Sequence, residues 1–242
     1  MFFPERIRSI RKSDHVLEIG PGAYPYPRAN VYLDKEFSPE EQLAQFGEAT
    51  RKRELKNLVY YTGNKFPFAD KEFDYAICSH VLEHIAPQDL PIFIEELTRI
   101  ANRGYIEVPN AFYEYICNTP VHLWLIGNHG TKLHFCPKKP DNNILLSTMR
   151  HCFYHTDLAL PFLFSRYREL FFIGFEWSEF IEYNIDEGTD NLFGFSELQG
   201  FQRPIINPDN WTTESLPPAG VLLSMIKAKL IGGLKKHLRF TR

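Results

Sequence analysis

The sequence predicts an α/β fold with a largely parallel sheet and helices on both faces. Three observations carry that expectation. Val16-Leu17-Glu18-Ile19 is a short apolar run that stops at Gly20-Pro21-Gly22, as a buried parallel strand does on meeting a tight turn. A second run, Val31-Tyr32-Leu33, closes on an acid, Asp34. Further along, short apolar runs alternate with stretches of helical period, the pattern of β-α-β units. Glycines bounding a turn let a ligand approach the backbone closely. A carboxylate at the tip of the second strand of such a unit accepts hydrogen bonds from both ribose hydroxyls. Together these features describe a nucleoside-binding site.

A dinucleotide would want G-x-G-x-x-G, but Gly20-Pro21-Gly22-Ala23-Tyr24-Pro25 puts Pro25 in the third glycine's place, with Pro27 two residues later. These prolines interrupt the helix whose N-terminus would hold a pyrophosphate. An NAD(P) oxidoreductase is therefore disfavoured. A ligand with ribose, adenine and a zwitterionic amino acid but no phosphate fits better, which describes S-adenosylmethionine (SAM).

Val16-Leu17-Glu18-Ile19-Gly20-Pro21-Gly22 resembles motif I of class I SAM-dependent methyltransferases of the type 11 group. The stretch from Lys65 to Ile85, with Phe73-Asp74-Tyr75-Ala76-Ile77-Cys78-Ser79 and His80-Val81-Leu82-Glu83-His84, resembles the downstream signature of the same group. Gly104-Tyr105-Ile106-Glu107-Val108-Pro109-Asn110 is similar to the strand that follows. The resemblance covers the first 110 residues and implies SAM as cofactor. It also implies that Asn64, just after the third strand, contacts the adenine; a plain turn asparagine is the alternative. One departure stands out. Only positions 23 to 33 separate Gly22 from Asp34, so a shortened helix or an irregular loop is expected there.

In chain order, Phe2 to Lys12 suits a short helix before the first strand, Val16 to Ile19. Val31 to Leu33 is the second strand. Glu40 to Lys56 is charged, with sparse apolar positions, and suits a surface helix. Leu58 to Tyr61 reads as a third strand and Phe73 to Ser79 as a fourth. From Asp89 to Ala101 the chain is a clear helix, with Asp89 as cap, Pro91 in the first turn and Phe93, Leu97 and Ile100 as its stripe. Gly104 is expected to end it, before a fifth strand at Tyr105 to Val108 that Pro109-Asn110 breaks. Residues 111–168, rich in aromatics, histidines and cysteines, read as an inserted lid. A hairpin is expected there from His122–Ile126 and Lys132–Phe135, and a helix from Thr156 to Arg168. Leu170 to Trp177 and Phe180 to Ile185 read as the last two strands. The expected architecture is thus a Rossmann-like seven-stranded mixed sheet, its last strand antiparallel. Residues 1–190 form the domain, and 191–242 form a C-terminal extension.

A net charge of −3 gives no reason to expect nucleic acid. Cys78, Cys117, Cys136 and Cys152 form no C-x-x-C pair, which points to a reducing, cytoplasmic setting. No run reaches the length of a membrane span. The tail from Ala219 to Arg242 carries Lys227, Lys229, Lys235, Lys236, Arg239 and Arg242 along an apolar stripe. It reads as a terminal helix packed on the domain or as a basic amphipathic helix on an anionic membrane surface. Oligomeric state is not legible.

Open α/β sheets bind ligands beyond the carboxyl ends of their strands. The cofactor-binding candidates are accordingly Glu18, Gly20, Pro21, Gly22, Asp34, Lys35, Asn64, Ser79 and His80. Glu18 sits inside an apolar strand, where a carboxylate must be paired. It either borders the methionine end of the cofactor or is satisfied by the backbone of the glycine loop. Catalytic candidates are His84, Glu107 and His80, although His84 also reads as a structural histidine. Asn110, Tyr113, His122 and Trp124 are the substrate-binding candidates. The histidines and cysteines of the insertion show no zinc spacing, and no metal is expected. The functional expectation is methyl transfer from SAM to an oxygen, less readily a nitrogen or carbon, of a small molecule or glycan. The alternative is a non-catalytic binding protein of the same fold, recruited through its basic tail.

Overall fold

The computed structural model describes residues 1–22, 24–38, 40, 43, 55–140, 143–154 and 164–193. The chain divides into two compact units, Met1–Arg150 with Tyr167–Gly194, and His151–Arg166 with Phe195–Arg242. All that follows concerns the first. Its strands are β1 (Val16–Ile19), β2 (Val31–Lys35), β3 (Leu58–Tyr61), β4 (Tyr75–Ser79), β5 (Arg103–Pro109), β6 (Trp124–His129), β7 (Lys132–Pro137), β8 (Phe172–Ser178) and β9 (Tyr183–Ile185). The helices are α1 (Leu90–Ile100), α2 (Ala111–Cys117), α3 (Ile144–Tyr154, which runs into the second unit) and α4 (Arg168–Phe171). Single 3₁₀ turns lie at Pro4–Arg6 and Leu82–His84.

The main sheet has the order β3-β2-β1-β4-β5-β8, parallel except for β8, which runs antiparallel to β5. Every residue of β1 is buried, as are the first four of β4 and the last six of β5. Sequences apolar at successive positions suit a sheet covered on both faces, and these central strands have that composition. Helix α1 buries Leu90, Phe93, Ile94, Leu97 and Ile100 at helical spacing. Prolines 25 and 27 have the expected effect: among the described residues between Gly22 and Val31 there are turns and no helix.

The structure corrects several expectations. The seventh strand is absent from the main sheet, which has six strands among the described residues. After β8 the chain turns at Glu179, a non-glycine residue at φ +68°, and leaves the sheet. Strand β9 then joins the β6–β7 hairpin as a separate three-stranded sheet, parallel to β7. Phe2 to Lys12 is not a helix beyond Pro4–Arg6. Its amides are used elsewhere: Phe2 and Phe3 donate to Glu107, and Arg8 and Ser9 donate to Glu176. Gly104 does not end α1, since the chain is already extended at Ala101. It lies within β5, where a Cβ would stand 2.1 Å from the Ala76 carbonyl oxygen and 2.8 Å from Trp177.

Most of the helix expected over Glu40 to Lys56, most of that over Thr156 to Arg168, and the whole tail from Ala219 lie outside the described residues. Among the described residues no helix is long and apolar enough to cross a membrane.

Candidate functional site

The sheet order reverses between β1 and β4, and a cleft opens beyond the carboxyl ends of the strands at that point. Its volume is about 690 Å³, within the range of small-molecule sites. Glu18, Gly20, Pro21, Gly22, Asp34, Lys35, Asn64, Ser79, His80 and His84 all line it. Gly20 adopts φ +62°, and a Cβ there would stand 2.6 Å from Val81 Cγ2. Both torsion and space demand glycine at this position. Gly22 follows at φ +53°, and the pair turns the backbone sharply away from β1.

Glu18 is only 4% exposed and accepts a hydrogen bond from the Tyr26 amide at 2.7 Å. Burial pushes its carboxyl up to about 7, against the lowering effect of that amide. Glu18 thus lines the cleft and, as one of the two expectations had it, is held by the backbone of the loop. Asp34, next to last in β2, accepts through Oδ1 from the Lys35 amide at 2.9 Å, and burial raises its pKa. Asn64 donates through Nδ2 to Asp89 Oδ1 at 3.1 Å. Phe37, Tyr61, Phe66 and Phe93 add an aromatic wall. Sequence reasoning did not name them, although Phe66 lies within the signature stretch.

At the other end of the cleft, His80 adopts φ +59° immediately after β4. Nε2 lies 3.0 Å from Glu107 Oε1 and Nδ1 lies 3.3 Å from Glu83 Oε1. Burial lowers the pKa of this imidazole, but the two carboxylates outweigh it and raise it to about 9. At neutral pH His80 is a cation and has no proton-accepting capacity. Glu107 is 0% exposed and accepts from the Phe2 and Phe3 amides, the Tyr105 hydroxyl and Ser79. Burial raises its pKa, but His80, Tyr105 and Phe3 bring it down to about 2. This corrects the expectation that Glu107 serves as a base: its carboxylate is saturated and does not line the cleft.

His84 is different. Burial first of all lowers its pKa, which favours the neutral imidazole. It lies in a turn to which the segment before β6 is bonded three times. Leu123 donates to the Glu83 carbonyl at 2.8 Å and Trp124 Nε1 to the Ile85 carbonyl at 2.6 Å. The third contact joins His84 Nδ1 to the Val121 carbonyl at 3.1 Å. This docking stacks His122 edge-on to His84, with ring centroids 4.6 Å apart.

Among the substrate-binding candidates, Trp124 is 0% exposed and packs on Phe135, so it belongs to the core. Asn110 caps α2, accepting from Phe112 and Tyr113 and donating to Leu170, which uses both ends of its amide. These are corrections of position: a buried indole and a fully engaged amide have nothing to offer an acceptor. Tyr113 and His122 lie near one another, with centroids 6.2 Å apart, but outside the lining of the cleft. Sequence reasoning also missed Glu83. An acid between two apolar-flanked histidines, at His80-x-x-Glu83-His84, was the available signal.

The family described as a methyltransferase domain matches residues 33–106, the span from β2 to β5. Over residues 33–106 the chain is similar to a methyltransferase domain. The cofactor of such a domain is SAM, and the residues lining the cleft suit it. They provide the Asp34 carboxylate, an aromatic wall, and a glycine turn in which Gly20 leaves no room for a Cβ. A search of the curated proteins finds no match.

Solved structures similar to this chain include the YcgJ protein from Bacillus subtilis, at 20% identity over 47% of this chain and 56% of that one, with a TM-score of 0.33. The aligned part thus spans little more than half of the YcgJ chain. A chain from the Haloferax volcanii complex between the Trm112 methyltransferase activator and a methyltransferase aligns at 15% identity. That overlap covers 71% of this chain and 85% of that one, with a TM-score of 0.40. A SAM-dependent methyltransferase from Methanosarcina mazei aligns at 15% identity over 50% and 68%, with a TM-score of 0.32.

Proposed function

We propose that this protein transfers a methyl group from SAM to a hydroxyl oxygen of a small-molecule or glycan acceptor. One observation supports this above the others: a single cleft is lined by a glycine turn, the Asp34 carboxylate of the second strand and His84, an imidazole whose pKa burial lowers. Bound there, SAM supplies an electrophilic methyl carbon on a sulfonium, open to in-line displacement. Asp34 holds the ribose hydroxyls, and Asn64 with the aromatic wall holds the adenine. Gly20, Pro21 and Gly22 let the cofactor lie against the backbone, with Glu18 toward its amino-acid end. Lys35 and Ser79 complete the polar lining. Residues placed this way supply rate chiefly by orientation, because the reacting atoms must meet near 3 Å and in line.

His84 accepts the hydroxyl proton as the acceptor oxygen bonds to the methyl carbon and the sulfur keeps the electron pair of the broken bond. The cationic His80, anchored between Glu83 and Glu107, fixes the end of β4 and does not take part in proton transfer. The test is calorimetry with S-adenosylhomocysteine, followed by methyl transfer from labelled SAM to a panel of hydroxyl acceptors. Saturable binding and label in an ether product support the reading. No binding by the folded protein overturns it.

A further inference from the structure

The carboxylate of Glu83 is 0% exposed; its Oε1 lies 3.3 Å from His80 Nδ1, and its Oε2 meets no hydrogen-bond partner. A buried carboxylate in that state is strongly disfavoured unless a cation compensates it. The one imidazole beside it, His80, also lies 3.0 Å from Glu107 through Nε2, so a single ring is shared between two buried acids. Around Glu83 the structure places one ligand atom from each of Glu83, His84 and His122 within 4.8 Å of one another.

The outer contacts of these groups have the form that metal-binding histidines use. His84 Nδ1 meets the Val121 carbonyl at 3.1 Å, and His122 Nδ1 meets Glu114 Oε1 at 2.5 Å. A carbonyl can only accept, so it puts the proton of His84 on Nδ1 and the lone pair on Nε2. The Glu114 carboxylate does the same for His122. A carboxylate or carbonyl behind each imidazole fixes tautomer and ring direction. Glu114 is itself buried and held by Lys138 Nζ at 2.8 Å, so the support of His122 is anchored. Three bonds lock the His122 segment onto the turn that carries Glu83 and His84.

From this geometry we infer that Glu83, His84 and His122 form a binding site for a divalent transition-metal ion of the zinc class. Two imidazole nitrogens and one carboxylate oxygen, with coordination positions to spare, are a donor set such ions take in catalytic sites. Ligand atoms around a tetrahedral zinc lie about 3.3 Å apart, so binding draws the three groups inward.

The site touches the methyl-transfer cleft through His84, which lines it. Resting on the methyl-transfer reading, the inference deepens it. The ion acts as a Lewis acid that binds the acceptor oxygen, lowers the pKa of its hydroxyl and releases that proton to solvent before the methyl carbon is attacked. His84 then serves as a ligand, and solvent in its place takes the proton of the ion-bound hydroxyl. The acceptor class narrows to molecules presenting an oxygen donor, above all vicinal oxygens that chelate.

The experiment titrates the full chain, stripped with a chelator, with Co²⁺ alone, and separately with S-adenosylhomocysteine. Expected are saturable cobalt binding with visible ligand-field absorption and loss of that signal in both Glu83→Gln and His122→Ala. Cobalt affinity should fall about 10–100-fold in Glu114→Gln, which weakens the support behind His122, along with the Lys138 pair, and removes no ligand. Thermal unfolding checks that each variant is folded. Absence of saturable cobalt binding, or binding that survives both ligand variants, overturns the site. Cobalt binding without S-adenosylhomocysteine binding supports the ion site and overturns the methyl-transfer reading. The reverse pattern overturns the ion site and leaves methyl transfer standing.

Discussion

Glu18 offers a prediction whose size follows from its surroundings. Its carboxyl is raised from 4.5 to about 7 because burial in β1 disfavours the charged form and the single Tyr26 amide offsets only part of that. Each pKa unit is worth about 1.4 kcal/mol, so the displacement corresponds to ~3 kcal/mol. The sign follows from linkage. A raised pKa means the folded protein holds the proton more tightly. The associated stability is fully present below pH 4.5 and is lost as pH rises through 7. Glu18→Gln keeps an oxygen to accept from Tyr26 but cannot ionise. Relative to the natural protein, the variant should gain about 3 kcal/mol between pH 4.5 and 8. Urea denaturation of both proteins at several pH values measures this difference directly and cancels the other titrating groups they share. A stability gap that stays constant across that range would refute the reasoning.

Two further outcomes are expected. Asp34→Ala should weaken S-adenosylhomocysteine binding by about 1.5–3 kcal/mol, the scale of lost hydrogen bonds to a charged group, and unchanged affinity in a folded variant counts against the ribose role. Trp124→Ala removes a fully buried indole that bonds to the Ile85 carbonyl, so it should lower stability by about 3–5 kcal/mol in a denaturation experiment. A variant as stable as the parent but impaired toward its acceptor would return Trp124 to the substrate side.

What the sequence by itself determined lies where the signal is local. A buried strand that must stop at a glycine turn leaves Val16 to Gly22 readable, because torsion and packing act on adjacent residues. Asp34 is legible for the same reason: the end of an apolar run fixes where the strand tip lies. Prolines 25 and 27 announced the loop that replaces a helix. Residues distant in sequence were not legible. Glu107 looks like a strand-end acid, yet the Phe2 and Phe3 amides, more than a hundred positions away, close over it. Gly104 looks like a helix terminator, yet the Ala76 carbonyl and Trp177 on the two flanking strands dictate it. The pairing of His84 and Glu83 with His122 depends on the segment before β6 docking on the turn after β4. No periodicity encodes such a contact. Only the tertiary structure could decide these roles, because burial and charge at a residue are set by whatever the rest of the chain brings against it.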